Sequence, residues 1–406
     1  MNKRFFNKMS MALSLAVLVA VLPACQLNKG YKVNGTLHGD VENARIYLQK
    51  NDYVSQSIVD SAVVSNGQFT LSGEVDYPGL YTLIVDRTPE GEASNPKYKN
   101  KASFYLENSD ISFEANINTM AGFYYNPKRK TEPAIIKGSQ AQALKEEYSA
   151  IAKPFNEKLR KLNQRYMAEY LSPYFDKGIE NTAVGIEIAR QENALNKQLR
   201  DVKLKFIREN TQSIVALDYV SYFFTGMYVD FTVEEIDEMV SWMEKDWQGT
   251  PLFTRLKEQA EAAKRVALGE EFKDIELLNR EGELVKLSSL IEPGKFNMLE
   301  FWASWCGPCR GEIPHLKRVH EECKDKGFNI ISISVDSKDK DWQKAMEEEG
   351  MVWKQLRDPK GMNGEVKAVY NVLGVPTCIV LDKENRIYKT NMRGAYLDAF
   401  LEEEVH

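Results

Sequence analysis

The pattern of hydrophobic and polar positions changes twice along the chain. From residue 31 to about 138, short β-branched and aromatic runs alternate with turn signals such as Ser65-Asn66-Gly67 and Pro78-Gly79. Runs bounded in this way are typical of β-strands. We predict a small all-β, sandwich-like domain over residues 25–138. Its expected strands are 31–37, 44–49, 68–71, 80–85, 102–106 and 111–115.

From about residue 139 to 267, lysine, glutamate, arginine, alanine and leucine dominate, and glycines are few. Apolar residues recur with a helical period, which predicts a helical linker region over residues 139–267. The expected helices are 144–170, 186–210, 213–228, 233–247 and 251–268. We interpret the aromatic cluster Tyr219, Tyr222, Phe223, Phe224, Tyr228 and Phe231 as helical core packing, and the charges of 197–208 as a solvated helix face.

Residues 268–406 alternate strand and helix patterns, which is typical of an α/β layer fold. The expected strands are 272–277, 284–287, 298–302, 328–336, 353–356, 377–382 and 387–391, with helices at 310–326 and 340–350. The sequence therefore predicts a multidomain protein. An all-β domain comes first, an α-helical region lies in the middle, and an α/β domain ends the chain.

The first 24 residues have the features of a secretory signal. Basic residues precede an apolar stretch, 9–21, that is too short to span a bilayer. The sequence Leu22-Pro23-Ala24-Cys25 resembles a bacterial lipobox, in which the cysteine is lipidated. We predict a lipoprotein signal peptide at 1–24 and a lipid anchor on Cys25, in the cell envelope and facing the periplasm. Gln26 stands where an aspartate is associated with inner-membrane retention, which favours the outer membrane. An ordinary signal peptide with an incidental cysteine is the alternative.

The charge of the chain limits its partners. The net charge is −6, and removing residues 1–24 takes away three basic and no acidic residues, which gives −9. This balance does not favour binding to nucleic acid or to anionic lipid headgroups. We therefore expect no nucleic-acid partner, and a membrane attachment that depends on the lipid alone.

The candidate chemistry lies in Cys306-Gly307-Pro308-Cys309, between the strand 298–302 and a helix. A helix N-terminus favours an anion and so lowers the pKa of a cysteine placed there. The second cysteine follows one turn later, within reach of a disulfide. A zinc site would need a second such pair, which the sequence lacks. We therefore predict a redox pair and no metal.

The run from Phe301 to Cys309 matches the thioredoxin active-site sequence, and the C-terminal domain resembles TlpA/ResA-type thiol-disulfide oxidoreductases. These are membrane-tethered proteins of the extracytoplasmic space. Further matches are Arg310-Gly311-Glu312-Ile313-Pro314, Ser334-Val335-Asp336, Gly374-Val375-Pro376-Thr377, Leu381-Asp382 and Arg393-Gly394. The resemblance implies a thioredoxin fold over 268–406 and no cofactor. The β domain resembles an uncharacterised domain at the front of such lipid-anchored proteins.

The resemblance also implies roles in catalysis. Cys306 attacks the substrate disulfide, and Cys309 then resolves the mixed disulfide. Glu300 matches a buried acid beneath the disulfide, where burial raises the pKa and allows it to take a proton from Cys309. Glu312 matches an acidic residue near the active site; a plain surface charge is the alternative.

A second group of residues is expected to dock the substrate. Pro376 matches a cis-proline that presents the backbone of Val375 to an incoming strand. The other expected docking residues are Trp305, Gly307 and Pro308. Away from this surface, we expect Cys323 and Cys378 to be inert core thiols, a redox-coupled third thiol being the alternative for Cys378, and we expect His315 and His320 on the helix surface.

The sequence thus predicts an extracytoplasmic thiol-disulfide oxidoreductase that reduces protein disulfides. Its expected partners are disulfide-containing envelope proteins and a membrane electron donor of the thiol-reductase type. A disulfide oxidase or isomerase is an alternative, as is a copper chaperone that uses the same two cysteines. A binding lipoprotein whose β domain does the work is a third possibility. A peroxidase fits less well, because Ala303 stands where that family has threonine or serine.

Overall fold

The computed structural model describes residues 30–51, 56–124, 126, 128–226 and 229–405. The predicted signal peptide and Cys25 lie outside these residues. The described residues form two compact units, which divide between Ser139 and Gln140. Among the described residues, no helix combines the length and apolar character that crossing a membrane requires.

The first unit contains two four-stranded sheets. One has the order β4-β1-β7-β8 and the other β3-β2-β5-β6. The strands are β1 Tyr31–His38, β2 Arg45–Asn51, β3 Gln56–Val63, β4 Gln68–Gly73, β5 Gly79–Asp86, β6 Lys99–Leu106, β7 Asp110–Asn116 and β8 Ile135–Lys137. One apolar core, which includes Val33, Leu48 and Phe113, draws residues from both sheets.

The second unit begins with the helical region. Its helices are α1 Gln140–Arg165, α2 Ser172–Lys177, α3 Thr182–Glu209, α4 Ile214–Thr225, α5 Val233–Trp247 and α6 Pro251–Lys264, and a π-helical segment, Tyr166–Leu171, joins α1 to α2. Thr232 caps α5 in a capping box with Glu235.

The aromatic cluster of this region corrects one detail of the sequence interpretation. Phe224 and Phe231 are buried, in line with core packing, whereas Tyr222 is 65% exposed. Lys203 was assigned to a solvated face, but its Nζ lies 5.0 Å from the ring centroid of Tyr219 and 5.5 Å from that of Phe223. Ring faces attract a cation, which explains why this lysine turns towards the aromatic residues. Tyr228 lies outside the described residues.

The rest of the second unit is an α/β domain around one seven-stranded sheet of order β10-β9-β13-β12-β11-β14-β15. The strands are β9 Glu276–Leu278, β10 Leu284–Lys286, β11 Phe296–Trp302, β12 Phe328–Ser334, β13 Lys354–Arg357, β14 Thr377–Leu381 and β15 Ile387–Thr390. The helices are α7 Gly307–Cys323, α8 Asp339–Glu349, α9 Glu365–Tyr370 and α10 Ala395–Glu404.

The central strands explain where a site can form. β11 pairs in parallel with β12 and antiparallel with β14, and every residue of β11 is buried. Strands that are buried along their whole length are typical of a sheet covered on both faces. The predicted fold class, with a β domain, a helical region and a thioredoxin-like α/β domain, is confirmed.

Candidate redox site

The two cysteines of the motif lie where β11 passes into α7. Cys306 is the N-cap of α7, and its Sγ accepts a hydrogen bond of 3.2 Å from the backbone N–H of Cys309. The two residues form a disulfide, with a Cα–Cα distance of 5.3 Å. Pro308 stands in the first turn, where a missing N–H costs nothing. The sequence therefore places a sulfur atom at the positive end of a helix.

The loop between β11 and Cys306 is held by a buried carboxylate. Asp336 accepts hydrogen bonds from the backbone N–H of Ser304 at 2.8 Å and from its hydroxyl at 2.7 Å. The hydroxyl of Ser334 donates to the same carboxylate at 2.7 Å. On either side of Ser304, Trp302 is buried in the core, whereas Trp305 is 65% exposed. The fold thus presents one tryptophan to solvent directly before the reactive cysteine.

The peptide bond between Val375 and Pro376 is cis, as expected. Thr377, the next residue, is paired with Phe301 across β14 and β11. This register places Pro376 at the same end of the sheet as the loop that leads from β11 to Cys306. Val375 and Pro376 are both partly exposed.

Glu300 lies in the middle of β11 and is 5% exposed. Its strand partners are Ser332 on β12 and Cys378 on β14. Burial raises the pKa of the Glu300 carboxyl to about 7, although a hydrogen bond with Ser332 and the charge of Arg393 oppose the rise. Its Oε2 is buried and has no hydrogen-bond partner among the described residues. A carboxyl group in this state exchanges a proton near neutral pH.

Glu312, one turn after Cys309, has the opposite character. Burial alone would raise the pKa of Glu312, but the hydrogen bond with His315 and the charge of Arg393 outweigh it and lower the pKa below its usual value. The backbone N–H of Gly394 also donates to Glu312, at 2.7 Å. Glu312 is therefore a fixed, largely buried charge, and the alternative of a plain surface charge is wrong.

The two remaining described cysteines are both buried. Cys378 donates its S–H to the carbonyl of Met392 at 3.2 Å, and burial raises the pKa of this thiol strongly. Burial also raises the pKa of Cys323. Both groups are therefore held as protonated thiols. No cluster of three or more His, Cys, Asp or Glu side chains suited to a metal occurs in the described part of the chain.

Comparison with known proteins assigns the family. Residues 268–390 match the AhpC/TSA family model. The thiol-disulfide oxidoreductase ResA of Halalkalibacterium halodurans is 30% identical over 126 residues, which cover 31% of this chain and 69% of that protein. The chain belongs to the thioredoxin-family thiol-disulfide oxidoreductases. The ResA of Oceanobacillus iheyensis is 34% identical over 103 residues, which cover 25% of this chain and only about half, 51%, of that relative.

Two further comparisons concern the first unit and the α/β domain. Residues 31–144 match DUF4369, a domain of unknown function. The solved thioredoxin domain of a thiol-disulfide oxidoreductase from Bacteroides vulgatus is 33% identical. The match covers 34% of this chain and 99% of the solved chain, with a TM-score of 0.32. The family assignment rests on the sequence relatives.

The α/β domain contains a buried ion-pair network that the sequence did not reveal. His315, expected on the helix surface, is buried and donates to Glu312 at 3.1 Å and to Asp398 at 2.9 Å. Burial alone would lower the pKa of His315, but these two carboxylates raise it to about 9. Arg318 also donates to Asp398, at 2.8 Å. The surface prediction for His315 is wrong because its two partners neutralise a buried imidazolium.

One signal for this network was available in the sequence. His315 follows Glu312 by three residues, so the two side chains share one face of α7. Asp398 lies 83 residues further on, and Gly394 and Arg393 were recognised as family matches without a role. Their contact with α7 is a product of the tertiary fold, which local spacing does not encode.

Proposed function

We propose that the protein is a lipid-anchored, extracytoplasmic reductase of protein disulfides. The observation that carries the proposal is the position of Cys306 Sγ at the N-terminus of α7, where it accepts the N–H of Cys309. A sulfur atom there is stabilised as a thiolate, which is the attacking form. The family membership of the domain supports the same chemistry.

The proposed reaction transfers two electrons. In the reduced protein, the Cys306 thiolate attacks one sulfur of the substrate disulfide, and the other substrate sulfur leaves as a thiolate and takes a proton. Cys309 then loses its proton and attacks Cys306. The second substrate sulfur leaves, and the Cys306–Cys309 disulfide forms. The substrate ends as a dithiol, so each turnover requires an external thiol donor to restore the pair.

Glu300 is the proposed acceptor of the Cys309 proton. Its pKa of about 7 supports this role, because a general base acts best when its pKa lies near the working pH. Glu312 is a poorer acceptor, since its lowered pKa favours the charged form too strongly. Glu312 instead carries a fixed negative charge close to the active-site helix.

The substrate is proposed to dock over Trp305, Gly307 and Pro308, with its backbone beside Val375 and Pro376. The exposure of Trp305, Gly307 and Pro308 supports this surface. Disulfide-containing envelope proteins are the proposed substrates, and a membrane thiol reductase is the proposed electron donor. The anchor on Cys25 and the outer-membrane location are supported by the sequence of residues 1–26.

A trapping experiment tests the proposal. We expect the Cys309→Ser variant to accumulate a mixed disulfide between Cys306 and an oxidised protein such as scrambled ribonuclease, because the resolving thiol is absent. Cys306→Ser should form no adduct and serves as the matched control. Wild type should reduce the substrate and end with its own disulfide. If the Cys306→Ser variant formed adducts on Cys309 as fast as Cys309→Ser forms them on Cys306, the assigned roles would be reversed. No reduction of the substrate by wild type would exclude the reductase function.

A further inference from the structure

The π-helical segment and α2 of the helical region lie directly against the thioredoxin-like domain. Tyr166 and Tyr170 pack with Tyr396 and Ala395 at the start of α10. A methyl group on Gly394 would lie 2.8 Å from the Tyr166 hydroxyl oxygen, so the two segments are in close contact there. The helical region is therefore packed against the residues that bind Glu312.

Polar contacts fix the same segment at two more points. The hydroxyl of Tyr170 donates to Asp398 at 3.5 Å. Glu180, just after α2, pairs with Arg318 of α7 at 2.9 Å, and Arg318 in turn pairs with Asp398. Because Asp398 is buried and also bound to His315, these contacts hold α2 in a defined position beside the active-site helix.

Phe175 of α2 extends from this fixed segment to the active-site helix, α7. A methyl group on Gly311 would lie 3.4 Å from Cε1 of the Phe175 ring, so the ring packs on the bare backbone of α7. Gly311 follows Gly307 by four residues, which places it on the same helix face, about 6 Å further along the axis. The ring therefore lies about one helical turn from the exposed residues that follow Cys306.

Packing in the core does not explain why an aromatic residue stands at position 175. Phe175 is 62% exposed, although Tyr174 packs against it edge-on at 5.2 Å between ring centroids. Two other large apolar side chains that lie close to the redox motifs in the sequence are also exposed. Trp305 directly precedes Cys306, and Leu373, 46% exposed, lies three residues before the cis-proline. Aromatic residues are enriched where protein surfaces meet.

We propose that Phe175 is a substrate-contacting residue that the helical region adds to the docking surface of the redox site. The inference rests on the proposed reductase function. The occupant of this docking surface is an extended segment of a disulfide-containing protein. The disulfide of that segment lies at Cys306, and one of its apolar side chains lies against the Phe175 ring. A small disulfide has no such side chain and does not reach the ring. The helical region thereby favours disulfides within unfolded protein chains over small-molecule disulfides.

The test compares two disulfides with the reduced full-length protein in stopped flow. Scrambled ribonuclease presents disulfides within extended, apolar chain, and oxidised glutathione presents a small polar one. For Phe175→Ala we expect the second-order rate of mixed-disulfide formation with ribonuclease to fall about tenfold, as truncation of a central aromatic contact typically does. The rate with glutathione should change less than twofold. Phe175→Leu, which keeps an apolar side chain, should recover part of the loss.

Controls separate contact from folding. Tyr222→Ala removes another exposed aromatic residue of the helical region and should leave both rates unchanged. Equal losses on both substrates in Phe175→Ala, or no loss on ribonuclease, would overturn the contact role while leaving the reductase intact. A wild type that reduces neither disulfide would instead overturn the proposed function, and the contact role with it.

Discussion

Glu300 and Cys378 lie directly opposite each other on the antiparallel strands β11 and β14. Opposed residues of such a pair project to the same face of the sheet. Burial raises the pKa of both groups, and the negative charge of Glu300 raises that of Cys378 further. An acid and a thiol are thus held side by side in the interior, where each favours its protonated form.

This environment makes Glu300→Gln the most direct test of proton transfer, because glutamine keeps the size of the side chain but exchanges no proton. We expect the attack by Cys306 to survive. Resolution by Cys309 should slow by roughly 10²–10⁴-fold, the usual contribution of a positioned acid or base. Stopped-flow reduction of a model disulfide, with the mixed disulfide quantified after acid quenching, measures both steps. Unchanged resolution would exclude Glu300 as the proton acceptor.

The same substitution also changes the pH dependence of stability. The pKa of Glu300 is about 7 in the folded protein, against an ordinary value of 4.5 that applies in the unfolded chain. The folded state therefore holds the proton more tightly, and the resulting stabilisation is lost as pH rises from 4.5 to 7. The difference amounts to about 3 kcal/mol. Urea unfolding should show this loss in wild type relative to Glu300→Gln; parallel stability curves for the two proteins would contradict the assignment.

The reactivity of the four thiols of the reduced α/β domain is the third prediction. Cys306 should be alkylated quickly by iodoacetamide near neutral pH, because it alone caps a helix N-terminus. Cys323 and Cys378 should resist, since burial raises the pKa of both. Peptide mapping by mass spectrometry identifies the labelled residue. Preferential labelling of Cys309 would reverse the roles, and fast labelling of Cys378 would point to the redox-coupled third thiol.

The lipid anchor is the fourth prediction. Metabolic labelling with a fatty acid should tag wild type but not Cys25→Ser, because the lipid is attached to that cysteine. Membrane fractionation should show the wild type with the outer membrane and the variant in soluble form. Equal labelling of the two proteins, or no labelling of either, would contradict the lipoprotein prediction.

The sequence predicted the parts of the fold that local pattern encodes. The all-buried β11 and the helix after Cys306 follow from an apolar run and from proline at a helix start. Two strands of the first unit, β3 and β8, were missed. β3 leaves Ile58 and Val63 exposed, so its apolar residues do not mark a buried face. β8 has three residues, too few to establish an alternation.

The residues of the redox site likewise fall into those that the local sequence predicted and those that it did not. The cysteines and the cis-proline belong to contiguous motifs, and Glu300 was identified from its position in an apolar strand. His315 was misplaced because a histidine in a polar helix is ordinarily exposed. Its burial depends on Asp398, which α10 supplies from a distant part of the chain. The contact between Phe175 and Gly311 also joins regions that no local pattern relates.

His315 gives the last prediction. Its pKa is about 9 in the folded protein, against an ordinary value of 6.5. The folded state therefore holds the additional proton between these values, so the stabilisation is complete below pH 6.5 and is lost as pH rises to 9. The expected loss is about 3 kcal/mol in wild type. In His315→Gln, Glu312 and Asp398 lose their shared cation, which should destabilise the protein by roughly 3–5 kcal/mol at pH 6.

Urea unfolding at pH 6 and pH 9.5 separates these effects. The difference between wild type and His315→Gln should be large at pH 6 and small at pH 9.5, where the imidazole of wild type is largely neutral. His320→Gln, on the same helix, is the matched control. Burial lowers the pKa of His320, so any pH dependence that it contributes has the opposite sign, with stability gained as pH rises. An equal destabilisation of His315→Gln at both pH values would show that His315 contributes packing alone, without a buried charge.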